Sequence, residues 1–188
     1  MRVITGSARG MTLRTLDGSD VRPTTDKVKE AVFSAIQFEI EGRRVLDLFA
    51  GSGQMGLEAL SRGAEKVTFA DASRDAINIV TENAKKAKLY QRANVLCMDW
   101  QSYIKAAGGR NRFDYIYLDP PYALGILPEV LTAIYDADMA DEASLVICES
   151  EKPLKTAENV MLAARYDEIK SVKYGRVYIT YLKPKAGE

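Results

Sequence analysis

Apolar positions change their period partway along the chain. Val28, Ala31, Val32, Ala35 and Ile36 fall at helical spacing on one stripe. Pro23-Thr24-Thr25-Asp26 ahead of them supplies a proline, capping hydroxyls and an acid, which predicts a helix start. From residue 44 onward, β-rich apolar runs at 44–49, 66–71, 93–97, 114–119 and 144–149 alternate with helical stretches near 54–62, 74–88, 100–107 and 126–137. Ile77, Val80, Ala84 and Ala87 give the second of these helices its expected buried face. Such alternation predicts βαβ units, hence an α/β fold with a largely parallel central sheet and helices on both faces. The segments 165–170 and 174–182 predict two antiparallel strands at the end of that sheet. The first 22 residues, rich in Gly, Thr and Arg, predict an arm or small hairpin ahead of a body over 23–188, all within one domain over 1–188.

Composition narrows the chemistry. The chain has 188 residues, 47% of them hydrophobic, which is enough for a real core and excludes a disordered tail. No apolar run approaches the ~18 residues of a membrane span, and Met1–Gly6 has no secretory apolar region, so a cytoplasmic protein is expected. There is no histidine, which excludes Ser-His-Asp and Cys-His catalysis and any His-ligated metal. Cys97 and Cys148, without a CxxC, cannot build a four-Cys zinc site; both sit in apolar runs and are expected as buried strand thiols. No metal is expected. Formal net charge is zero, yet six basic groups face three acidic ones in residues 1–29, and again in 165–188, leaving an acidic middle. That distribution fits ordinary surface as well as an anionic partner.

Asp47-Leu48-Phe49-Ala50-Gly51-Ser52-Gly53-Gln54-Met55-Gly56 reads as strand, glycine turn and helix, and Asp71 ends the next strand 20 residues after Gly51. This is the layout of a mononucleotide site, where glycines let a ligand approach the backbone and the acid takes ribose hydroxyls. Asp47, just before the turn, would repel a pyrophosphate but attract an ammonium and a sulfonium, which favours S-adenosylmethionine over a dinucleotide. Asp99 has two readings, an adenine contact beside Met98 or Trp100 and an N-cap for 100–107. The cofactor set is Asp47, Phe49, Ala50, Gly51, Ser52, Gly53, Asp71, Ala72, Asp99 and Trp100.

Asp119-Pro120-Pro121-Tyr122 ends the fourth strand. Two prolines fix a corner at the carboxyl edge of the sheet, where open α/β sheets bind ligands. Their carbonyls are expected to be free acceptors. Asp119 and the Pro120 carbonyl suit the two N–H bonds of an exocyclic base amine, and Tyr122 suits stacking on the base. Methyl transfer to such an amine is mostly positioning and needs no histidine. The catalytic set is Asp119, Pro120, Pro121 and Tyr122.

Leu46–Gly53 and Asp119–Tyr122 resemble the cofactor and catalytic motifs of Rossmann-like amino methyltransferases. Arg22–Glu30, Gly53–Ala64 and the Tyr174-Gly175 tail further resemble the bacterial 16S rRNA guanine-N2 methyltransferases, the ribosomal small-subunit methyltransferase D family. The likeness runs nearly end to end. It implies methylation of N2 of guanine 966 with S-adenosylmethionine as donor. Asp47, Gly51 and Gly53 would hold the methionyl part, Asp71 the ribose and Asp99 the adenine end. Arg22 and Thr24 would sit near the mouth of the site, and Arg9 and Lys27 complete the RNA-contacting set. A monomer acting on 16S rRNA within the small subunit or an assembly intermediate is expected. Ser73 departs from the pattern where many relatives have a second acid; Met11 and Thr12 stand where basic residues are common. Three other readings stay open: a DNA adenine-N6 or cytosine-N4 methyltransferase, a nicotinamide-dependent oxidoreductase, and a non-catalytic nucleotide- or RNA-binding module.

Overall fold

Strand and helix alternate through both halves of the chain, close to the expected bounds. The computed structural model describes residues 1–16, 26–37 and 39–187. They fall into two compact units, Met1–Asp99 and Trp100–Glu188. Arg22, Pro23, Thr24 and Thr25 lie outside the described residues.

The first unit holds α1 (Asp26–Ile36), β1 (Arg44–Asp47), α2 (Gln54–Ser61), β2 (Lys66–Asp71), α3 (Arg74–Lys86) and β3 (Ala93–Cys97). Its strands are parallel, with β2 between the other two; Val45 lies opposite Val67, and Phe69 opposite Val95. Ser73 is the N-cap of α3, its hydroxyl accepting from the Ala76 amide at 3.3 Å, and Lys85 and Lys86 complement the helix dipole in the last turn. Two buried faces differ from the periodicity. In α1 the face is Val28, Lys29, Val32, Phe33 and Ile36, with Ala35 exposed. In α3 it is Ala76, Ile79, Val80, Asn83 and Ala84, and Ile77 and Ala87 lie beside it. Each shift has one cause: a polar residue, Lys29 or Asn83, is buried because partners wait for it.

Several of those partners come from the N-terminus. Residues 1–13 form a small hairpin in which Arg2 faces Thr12, and the Val3 amide donates to the Met11 carbonyl at 2.9 Å. The hairpin docks on α2. The amides of Ile4 and Thr5 donate to the Glu58 carboxylate at 2.7 and 3.0 Å, and the Ala8 amide donates to Ser61 Oγ at 2.9 Å. At Gly6 (φ +88°) a Cβ would stand 1.8 Å from the Ser61 carbonyl oxygen, so only glycine fits. Glu58 has no solvent exposure; it also accepts from Arg62 Nε at 2.8 Å and lies 3.8 Å from Lys29 Nζ, which donates to the Arg2 carbonyl. Burial pushes the Lys29 pKa below its usual range, against the pull of Glu58 and Asp26.

The second unit holds α4 (Trp100–Ala107), β4 (Tyr115–Leu118), α5 (Leu127–Asp136), β5 (Leu145–Ser150), α6 (Val160–Arg165), β6 (Tyr166–Tyr174) and β7 (Val177–Pro184). β4 and β5 are parallel, β7 runs antiparallel to β5, and β6 and β7 form the expected antiparallel pair, turning at Gly175 (φ +62°). β6 is longer than expected and has an irregularity between Glu168 and Lys170. Helix α6 is new. Six residues are too few to show a period, and the Asn159 side chain starts it by accepting from the amides of Met161 and Leu162. Tyr166 anchors β6 to α5, its hydroxyl donating to the Leu131 carbonyl at 2.8 Å and its ring meeting Tyr135 edge-on at 5.8 Å.

One expected thiol moves to the surface. Cys148 is buried in β5, but Cys97 is exposed. It is the last residue of β3, the outer strand of its unit, so apolar neighbours in sequence do not enclose it. Among the described residues no helix is long and apolar enough to cross a membrane, and no group of three or more Cys, Asp or Glu could hold a metal ion.

Candidate active site

In the first unit, the turn after β1 is built from glycines and closed by two carboxylates. Gly51 (φ +52°) and Gly53 (φ +76°) take left-handed conformations, and Gly53 is the N-cap of α2. A Cβ on Gly56 would stand 2.2 Å from the Phe69 ring, so this glycine lets α2 lie close on β2. A Cβ on Gly51 would meet nothing within 4 Å: the turn leaves open space over its backbone, as a bound ligand requires.

Asp47 is 2% exposed, and its Oδ2 accepts from the Gly56 amide at 3.0 Å. Burial raises its pKa to about 7; the Gly56 bond opposes the shift and the nearby Asp71 charge adds to it. A cation brought against this carboxyl would favour its charged form. Half-exposed Asp71 ties two loops together, Oδ2 accepting from the Gly51 amide at 2.9 Å and Oδ1 from the Ser73 amide at 2.8 Å.

Other members of the predicted cofactor set are placed differently. Ser52 is buried with its hydroxyl 3.3 Å from the Met1 sulfur, so its side chain faces the hairpin. Ala50 is buried and Phe49 half-buried. Ala72 and Asp99 are exposed, and the Met98 amide next to Asp99 donates to the Asp71 carbonyl at 3.0 Å. Trp100, half-buried, opens α4 in the second unit. Asn83 is one residue that sequence reasoning missed. Its amide donates to the carbonyls of Ser52 and Arg14, both at 3.0 Å, and accepts from the Arg14 amide at 2.9 Å, stitching the turn to the hairpin.

The titration of Asp47 has a measurable consequence. Its ordinary pKa of 3.8 is raised to about 7 in the fold, so the folded state holds this proton more tightly than the unfolded chain. The contribution to stability is full below the unfolded value and is lost as pH rises toward 7. Asp47→Asn removes the titration and keeps an oxygen for the Gly56 amide. In thermal unfolding without ligand, the advantage of the variant over wild type should grow by about 3 kcal/mol between pH 5 and pH 8. Parallel curves for the two proteins would show that Asp47 does not titrate there.

The second unit carries the Asp-Pro-Pro-Tyr corner. β4 ends at Leu118, and half-buried Asp119 leads into buried Pro120 and exposed Pro121. The Pro121 carbonyl is not free as expected: it accepts from the Leu124 amide at 3.1 Å and starts a tight turn over Tyr122–Leu124. That turn aims Tyr122, whose hydroxyl donates to Glu149 Oε1 at 2.8 Å. The other oxygen of Glu149 accepts from Tyr117 at 2.6 Å. Glu149, 4% exposed on β5, is therefore clamped between two phenols and fixes the ring of Tyr122. Sequence reasoning passed over Glu149, although an acid inside Val146-Ile147-Cys148-Glu149 is itself a signal, since a buried acid needs donors. Of the residues expected to meet RNA, Arg9 and Lys27 are exposed in the first unit.

Comparison with known proteins places these halves in one family. The family described as conserved hypothetical protein 95 matches residues 1–183. The Bacillus subtilis protein YlbH is 42% identical over 161 residues, 85% of this chain and 88% of its own. The ribosomal RNA small subunit methyltransferase D of Haemophilus influenzae is 34% identical over 162 residues, 85% of this chain and 84% of its own. The structure of yhhF from Escherichia coli superposes with a TM-score of 0.86 at 30% identity, covering 100% of this chain and 99% of that one. The fold is the expected Rossmann-like methyltransferase fold, mostly parallel with an antiparallel C-terminal pair. With a match over nearly its whole length, the chain belongs to the conserved hypothetical protein 95 family, that of the ribosomal small-subunit methyltransferases D.

Proposed function

We propose that the chain transfers a methyl group from S-adenosylmethionine to the N2 amine of a guanine in 16S rRNA, guanine 966 by family resemblance. The observation that carries this reading is the corner after β4, a half-buried carboxylate followed by a tyrosine whose ring is fixed through Glu149. S-adenosylmethionine, when bound, supplies an activated methyl group on a sulfonium. The residues present fit it: Asp47 is a buried carboxyl whose charged form a cation would favour, Gly51 leaves its backbone open, and Asp71 stands at the end of β2 to meet ribose hydroxyls.

The base amine is a poor nucleophile because its lone pair is delocalised into the ring. Asp119 and the Pro120 carbonyl accept its two N–H bonds and draw the nitrogen toward tetrahedral geometry. Tyr122 stacks on the base, a contact worth ~1–3 kcal/mol. The nitrogen loses a proton after transfer, along the hydrogen bond to Asp119. An unpaired guanine enters such a site at little unstacking cost. The same amine chemistry would serve adenine or cytosine in DNA, so substrate identity is the point to test.

Unmodified small ribosomal subunits, the same rRNA free of protein, and duplex DNA are each incubated with labelled S-adenosylmethionine. The expected product is N2-methylguanosine, from the ribosomal substrates alone. Label in DNA alone would replace the proposal with a DNA amino methyltransferase; cofactor binding without label in any substrate would replace it with a binding module.

A further inference from the structure

We propose that the tip of the β6–β7 hairpin is a second RNA-binding element, which grips the single strand flanking the target base. This rests on the RNA substrate proposed above. Strand register carries the argument. Leu118 of β4 lies opposite Cys148, so Asp119 and Pro120 continue level with Glu149 and Ser150 at the end of β5. Ser150 pairs with Tyr178 of β7, and Tyr174 of β6 pairs with Val177. The turn Tyr174-Gly175-Arg176-Val177 thus projects from the same edge of the sheet as the Asp-Pro-Pro-Tyr corner. It stands two to three strand spacings away, about 10–15 Å, within reach of a few nucleotides.

The chemistry of the tip suits a single strand. Lys170, Lys173 and Arg176 are exposed, and no acid lies between Ile169 and Pro184. The acids lower on β6 are engaged, Asp167 with Lys185 at 3.3 Å and Glu168 with the Thr156 hydroxyl. Aromatic rings are interleaved with the cations. Lys173 lies over Tyr178 at 5.3 Å and Lys170 over Tyr181 at 4.4 Å, while Tyr174 and Tyr178 are half-exposed. Cations for phosphates beside aromatic faces for bases form the usual surface for single-stranded nucleic acid. At the far end of the pair Lys185 and Arg165 face Asp167 and Asp136, whereas the tip that shares its end of the sheet with the candidate catalytic corner has cations and no acid of its own.

The test compares K173E/R176E with K105E/R110E. The control reverses the same number of charges, at the end of α4 and in the loop before β4, which is the opposite edge. Binding to a fluorescein-labelled, guanine-containing single-stranded RNA of a dozen nucleotides is followed by anisotropy between 50 and 200 mM salt. The hairpin variant is expected to bind at least tenfold more weakly at 100 mM salt. The slope of log affinity against log salt should fall by about 1.4, the contribution of two phosphate contacts on a single strand. The control should stay within twofold of wild type. Equal affinity and slope in the two variants would overturn the proposal, as would a wild-type protein that does not bind the RNA. Methyl transfer to small subunits, measured in parallel on wild type, separates the outcomes: N2-methylguanosine with an unaffected hairpin variant removes the hairpin and leaves the enzyme.

Discussion

Asp119→Ala should lower methyl transfer to small-subunit RNA by roughly 10²–10³-fold while donor affinity, read by calorimetry, changes less than threefold. The magnitude is that of losing one preorganised acceptor in a site where nothing else must move. The split between rate and affinity follows from placement. Asp119 follows β4 in the proposed amine-binding corner, whereas the glycine turn and its two acids form the proposed donor site. The fold should survive, because Asp119 is half-buried and the corner is held by prolines and the Tyr122–Glu149 bond. Turnover at the wild-type rate would remove Asp119 from catalysis. Loss of donor binding instead would make it part of the donor site.

Glu58→Ala should be strongly destabilising. It strips the acceptor from two backbone amides, Ile4 and Thr5, and takes from buried Lys29 its buried carboxylate, leaving Asp26 at 3.9 Å. Breaking a buried ion pair from one side costs about 3–5 kcal/mol. For a chain of 188 residues that is a fall in melting temperature on the order of 10 °C. Hydrogen exchange should locate the damage, with the amides of Ile4 and Thr5 losing protection ahead of β1 and β2. Glu58→Gln should be milder, since it keeps one acceptor oxygen. A melting temperature unchanged by the alanine would mean that the hairpin contributes nothing to the fold.

Much of this was legible before any coordinates. The strands over 66–71 and 93–97 and the helix over 100–107 fall at the bounds that apolar runs and periodicity predict. The glycine turn was legible because Gly51, Gly53 and Gly56 answer to backbone geometry, which leaves a fixed spacing. The polar interior was not. Lys29, Glu58, Asn83 and Glu149 are all buried, yet each reads as a solvent-facing position in a hydropathy pattern. Glu58 has Arg62 and Lys29 has Asp26 within one helical turn, but each of the four also has a partner 27 to 69 residues away, which no local window contains. Two of the four sit inside segments that resemble the family, Lys29 in Arg22–Glu30 and Glu58 in Gly53–Ala64. In this chain those segments serve the docking of the N-terminal hairpin as well as the site. The Pro121 carbonyl shows the converse error: prolines lack a donor, but their oxygens are still claimed by the chain that follows.

The unequal fate of the two cysteines offers a practical gain. Cys148 is sealed in β5, where burial holds its thiol protonated, and Cys97 is open to solvent. A maleimide dye should therefore mark native protein at one position without mutagenesis. Cys97 is paired in register with Asp71 and its sulfur lies 3.7 Å from the Ala72 carbonyl, so that dye would sit beside the β2 end of the proposed donor site. Wild-type protein thus carries its own attachment point for an optical reporter of ligand arrival and departure.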